Sequence, residues 1–235
     1  MTDNIRIDAM YKLENVDVYN VASDASIFIA EQQGKLTTSA ISLIPSIDTR
    51  DDFFNPRRGG KHSLLIQDAG GFLGGDNYFV KVLGQSSWFF PLPLRTTLNI
   101  RGQVGIITPY GGKVLPLYEK FFVGGINTVR GFEYGMAGPV DKPTGDPLGS
   151  KKMVAFNVEW IFPLSREIGL QGALFFDVGK GFDKFSDITP LRFGAGPGLR
   201  WFSPFGPIHI DLGFNLNRKH GEKGQVVDFS GGSVF

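Results

Sequence analysis

Cysteine is absent from all 235 residues. That removes disulfide staples, thiol catalysis and thiolate metal ligation together. No apolar run reaches the roughly 18 residues a membrane helix needs. Neither sign of charge dominates: 24 Lys and Arg against 23 Asp and Glu leave a formal net charge of +1. The chain therefore has no broad field to draw in nucleic acid or acidic substrates. Its three histidines, His62, His209 and His220, have no ligand-like spacing, so no metal site is expected. The start, "MTDNIRIDAM", has no basic segment leading into an apolar one. No signal peptide is expected there, and a secreted form would receive one from a longer precursor. The glycine cluster "GAGPGLRW" lacks the G-K-[ST] ending of a phosphate loop and precedes no helical pattern, so tight wall packing is the better reading. No G-x-S-x-G occurs either. No enzyme activity and no cofactor are expected.

What is present is phenylalanine and glycine, 22 and 32 of them, and a period of two. In "LRTTLNIRGQV" Leu94, Thr96, Leu98, Ile100, Gly102 and Val104 oppose Arg95, Thr97, Asn99, Arg101 and Gln103. Val154, Phe156, Val158 and Trp160 alternate with Ala155, Asn157 and Glu159. Ile208, Ile210, Leu212 and Phe214 alternate with His209, Asp211, Gly213 and Asn215. Such alternation predicts half-buried strands whose register is strongly specified. Similar segments fall near 4–19, 35–48, 60–70, 77–90, 93–107, 150–162, 168–179, 190–203, 206–217 and 225–235. That makes about ten strands, each near the 9–11 residues that cross a bilayer core at a tilt. No convincing amphipathic helix interrupts them.

A soluble sandwich also alternates, but its apolar face points inward and its strands are shorter. Here the polar face holds Arg, Asn, Glu, His and Asp, which a sealed interior holds only at high cost and a wet lumen holds easily. Tyr78, Trp88, Phe89 and Phe90, then Trp201, Phe202 and Phe205, gather at strand ends as interfacial belts do. "FPLPLR" and "FPLSRE" predict short turns at one end, whereas 20–34 and 108–149 predict long loops, the asymmetry of outer-membrane barrels. The expected fold is all-β: one antiparallel transmembrane β-barrel domain over residues 1–235.

Within the longest loop, "FFVGGINTVRGFEYG" (121–135) places Arg130 among glycines and apolar residues. Either the arginine is solvated at the surface or it is aimed inward at a carboxylate. The stretch resembles the sixth extracellular loop of the BamA superfamily, whose hallmark tetrad is matched by Val129, Arg130, Gly131 and Phe132. "DTRDDFFNPRRG" is similar to a second family segment through Asp48, Arg50, Pro56 and Gly59. "AGGFLGGDNYF", "PLYEKFFVGG", "FFDVGKGFD" and "GAGPGLRWFSPFGPIHIDLGF" follow in family order.

The resemblance implies a bacterial outer-membrane location and a role in inserting β-barrel clients. It also implies a loop folded into the lumen, with Arg130 latched to Glu159 and Asp177, the latter preferred. A turn centred near 165–166 would set those two carboxylates about five residues apart across the pair of strands. The family barrel has sixteen strands preceded by POTRA domains; the ten strands here match its last ten. Its gate strand would be the last one, with Phe229, Gly231, Gly232 and Phe235. Three forms of closure stay open: a portion of a larger protein, a narrower self-closed barrel, or a second chain completing the wall. The expected partners are the lipid bilayer, client outer-membrane proteins and accessory assembly proteins, with no nucleic acid. A passive pore or a two-partner secretion transporter is the alternative function.

Overall fold

The computed structural model describes residues 4–203 and 206–231. Ten strands fill most of that length: β1 (Ile5–Val18), β2 (Gly34–Asp48), β3 (Gly59–Ala69), β4 (Phe79–Pro91), β5 (Thr97–Pro109), β6 (Lys152–Ser165), β7 (Leu170–Phe182), β8 (Arg192–Ser203), β9 (Gly206–Asn215) and β10 (Gln225–Gly231). They form one antiparallel sheet in sequence order. Among the described residues no helix is long and apolar enough to cross a membrane.

The pleat sorts the residues as the alternation predicts. In β6, Ala155, Asn157 and Glu159 are buried while Phe156 and Trp160 are 44% and 42% exposed. In β7, Asp177 is fully buried while Leu174 and Phe176 point outward. In β9, His209 and Asp211 are buried between exposed Ile210 and Phe214. Charge inside and large apolar groups outside invert the pattern of a soluble domain and suit a wall facing lipid.

One end carries tight connections at 92–96 and 166–169; the other carries 19–33, 70–78, 110–151, 183–191 and 216–224. The 110–151 loop touches β1 and β4 through Glu119 and β6, β7 and β9 through Arg130. A single loop can reach all five only if the sheet curls around it. Among the described residues no ladder joins β10 to β1.

Three details depart from the sequence reading. The strand expected at 93–107 starts at Thr97, because Leu94 and Arg95 take φ values of 59° and 61° and close a tight turn. The β6–β7 turn centres near 167, with a register shift between Pro163 and Ser165, so Glu159 pairs with Phe175 and Asn157 with Asp177. The two carboxylates are therefore offset by two residues rather than five. The lumen is also not uniformly polar. Toward the long-loop end Phe79, Ile107, Met153 and Ala155 of the wall pack with Leu115, Phe121, Val123, Val129, Phe132 and Ala137 of the loop. The loop brings its own core into the barrel.

Candidate functional site

The site begins with backbone geometry at the tip of the 110–151 loop. Thr128 Oγ1 accepts from the Gly124 amide at 2.8 Å, and Gly125 N–H donates to Val129 O at 3.0 Å. Gly124 and Gly125 adopt φ of 126° and 89°, so the chain reverses there with little steric strain. Arg130 follows directly, between Val129 and Phe132, both buried in the loop's apolar core. Gly131 takes φ of 88°. A Cβ at Gly131 would lie 2.8 Å from Phe214 C and O, so the tip lies flush against β9. The wall reciprocates. A Cβ at Gly194 would stand 1.8 Å from Arg130 O, and one at Gly213 2.2 Å from Gly131 N. Glycines of β8 and β9 thus make a trough into which the 130–131 backbone sinks.

Arg130 is 6% exposed and fully engaged. Its Nε and Nη2 donate to Asp177 Oδ2 and Oδ1 at 2.8 and 2.9 Å, a bidentate pair, and its own amide donates to Asp177 Oδ2 at 3.0 Å. Nη1 donates to Glu159 Oε2 at 2.5 Å and to Asp211 Oδ2 at 3.3 Å. The guanidinium carbon sits 3.6 Å from the Phe175 ring centroid, adding a cation–π contact from below. Burial alone would lower the Arg130 pKa, but the Glu159 charge and the Asp177 hydrogen bonds outweigh it and raise it above its ordinary value. A planar fork suits this task where a lysine would not.

A match to the Omp85 superfamily domain extends over residues 1–235. The chain belongs to the Omp85 superfamily. It is 30% identical over 244 residues to "Outer membrane protein assembly factor BamA" of Neorickettsia risticii, an alignment that takes in 100% of this chain and 32% of that protein. It is 29% identical to the protein of the same name from Nitratidesulfovibrio vulgaris, over 96% of this chain and 29% of that one. It is 28% identical to the mouse "Sorting and assembly machinery component 50 homolog", over 74% and 36%. The chain thus spans about a third of the length of these relatives. In fold it is similar to the crystal structure of BamA from Haemophilus ducreyi lacking POTRA domains 1–3, with a TM-score of 0.71 over 83% of this chain and 43% of that one. This Omp85 chain is an outer-membrane β-barrel protein.

Of the residues singled out from the sequence, the Omp85 structure brings together Arg130, Glu159 and Asp177, with Val129, Gly131 and Phe132 seating the arginine. Asp48 accepts both Arg50 Nε and Nη2, at 2.9 and 2.7 Å, in the turn between β2 and β3. Gly59 closes that turn: a Cβ there would meet Thr49 O at 2.0 Å. Phe229 points outward on β10, 68% exposed, beside Ser230 and Gly231. Gly232 and Phe235 lie outside the described residues.

Sequence reasoning missed Asp211 and Arg200 as members of the cluster. Arg200 donates from Nε and Nη2 to Glu159 at 3.2 and 2.9 Å. Its Nη1 forms an ion pair with Asp211 Oδ1 at 2.7 Å. Two guanidinium groups thereby share three carboxylates from β6, β7 and β9. Gly198, paired with Asp211, leaves room for the group, since a Cβ there would stand 1.9 Å from Asp211 Oδ1. Alternation puts Asp211 on the polar face, whereas the sequence reading assigns Arg200 to no face. Nothing in that pattern states which inward residues meet.

Proposed function

We propose that this Omp85 chain forms the working wall of a machine that inserts β-barrel proteins into the bacterial outer membrane, without catalytic residues or a cofactor. The observation that carries the reading is the Arg130 anchorage, which secures a lumen-filling loop to three strands near the β10 edge. A loop so held keeps the lumen occupied while the edge beside it is left to work. The names of the curated relatives in bacteria and in mouse, assembly factor and assembly machinery component, support the same reading.

In this reading the ten strands are the closing part of a larger family barrel, and β10 is the gate strand. A strand edge templates an incoming strand through main-chain hydrogen bonds, and a short strand beside lipid thins the bilayer locally. The partners are the bilayer, client outer-membrane proteins, and accessory proteins or further wall strands that complete the edge. An unpaired edge in hydrocarbon is not tolerated, so some partner must cover it.

The test is client folding. The full protein in lipid vesicles should accelerate folding of a small outer-membrane barrel, and the acceleration should fall when Arg130 is replaced by Ala. A large steady planar-bilayer conductance with no acceleration would instead assign a passive pore. The apolar core that the loop brings into the lumen argues against such conductance.

A further inference from the structure

The 110–151 loop is held at a second point, with charges reversed. Glu119 is 4% exposed, and its Oε1 accepts from Lys12 Nζ of β1 at 2.9 Å. Lys81 Nζ of β4 stands 3.5 Å from Glu119 Oε2 and donates to the Glu119 main-chain oxygen at 2.8 Å. The same ammonium lies 5.2 Å from the Phe121 ring centroid. The preceding residue is fastened too: Asn77 Nδ2 donates to Tyr118 OH and to Thr38 Oγ1, both at 2.8 Å. A buried carboxylate with two ammonium partners is not a chance surface pair.

We propose that Glu119 is a positioning residue that ties strand β1 to the lumen loop, and that this anchor yields before the Arg130 anchor does. The inference rests on the loop-latch reading above and deepens it. The loop becomes a crosspiece, positive where it meets β6, β7 and β9 and negative where it meets β1 and β4. Its two ends differ in strength for physical reasons. Arg130 offers a rigid fork with a side chain 7% exposed, set on strands inside the sheet. Lys12 is a flexible point charge, 30% exposed and shared with Glu14 at 2.8 Å. Through the partly open Lys12 such a pair is screened by salt more than the buried guanidinium cluster is. Among the described residues β1 pairs with β2 alone. Lys12 is therefore a tie across the lumen. Releasing it loosens the loop's hold on β1 while the loop stays seated on the opposite wall.

The test uses the full chain in lipid nanodiscs, with two readouts. Trypsin cleavage at Lys113 and Lys120 reports the Glu119 arm, and cleavage at Arg130 reports the tip. Hydrogen exchange of β1 against β6 and β7 reports the wall. Glu119→Gln and Lys12→Met should each raise cleavage at Lys113 and Lys120 and speed β1 exchange by about tenfold, a loss of the size expected for one charge-assisted bond. Cleavage at Arg130 should stay unchanged. The double variant should be no worse than the worse single one, and Lys12→Arg should keep the protection. Raising NaCl to about 1 M should reproduce the Glu119→Gln pattern in the parent and change little in the variant.

Unchanged β1 exchange in Lys12→Met, or effects that add in the double variant, would overturn the proposal. Variants that fail to fold are replaced by the salt titration of the parent, which decides alone. Asp177→Asn separates the two readings. If it and Glu159→Gln both leave the tip protected, the Arg130 latch fails whatever Glu119 does.

Discussion

Asp177 accepts three hydrogen bonds from Arg130, two from the guanidinium and one from the arginine's own amide. One carboxylate therefore fixes both the side chain and the main chain of the loop tip. Glu159 and Asp211 add charge but do not touch that amide. Position and electrostatics are thus divided among the acids, with Asp177 setting position.

Asp177→Asn is expected to loosen the tip while leaving the barrel folded. An amide keeps one acceptor but loses the charge and the bidentate match. Limited proteolysis should cut near Arg130 faster in this variant than in the parent, and more so than in Glu159→Gln. Equal protection in both variants and in the parent would remove the latch.

Arg130→Ala should be the harsher change. It leaves Asp177 without its principal partner and Asp211 with Arg200 alone, all in a buried setting. Removing one partner of a buried ion pair costs about 3–5 kcal/mol. The temperature at which the folded species loses its fast electrophoretic mobility should fall accordingly. Arg130→Lys should recover little, since an ammonium cannot bridge Asp177 and Glu159 in one plane.

Gly194→Ala tests the trough independently of charge. The new Cβ would stand 1.8 Å from Arg130 O, so the tip must lift or β8 must shift. Overpacking of this kind costs about 1–3 kcal/mol. The expected phenotype is exposure of the tip to protease with an unchanged β-sheet circular dichroism spectrum. Gly102→Ala is the control, because open space surrounds its Cβ position.

Much of this architecture is legible in the sequence, and the illegible part has two causes. Alternation with period two reports which face a residue occupies, so the strands, the inward Glu159 and Asp177 and the outward Phe156 and Phe214 all follow from it. It does not report register between strands. The β6–β7 offset depended on the bulge near Pro163, and the meeting of Arg200 with Glu159 depended on strands that are not neighbours in sequence. The loop was harder still. Phe121, Val123, Val129 and Phe132 show no period, because they pack on one another and on the wall from an irregular backbone. Glu119 sits in the same loop and carries no periodic signal of burial.

The assignment of faces is itself exposed to test. Phe156 points outward next to Val178 and Gly102, near the middle of its strand. If that surface meets hydrocarbon, Phe156→Arg should destabilise the barrel in vesicles by about 2–4 kcal/mol, as charges do near a bilayer midplane. A soluble β-protein would lose little stability, because replacing a 44% exposed phenylalanine with arginine there is close to neutral and improves solubility. Urea-driven unfolding in vesicles, compared with the same variant in detergent micelles, reads the difference. A neutral result in vesicles would mean that lipid does not cover this face. The inward set of charges would then need some explanation other than a lumen.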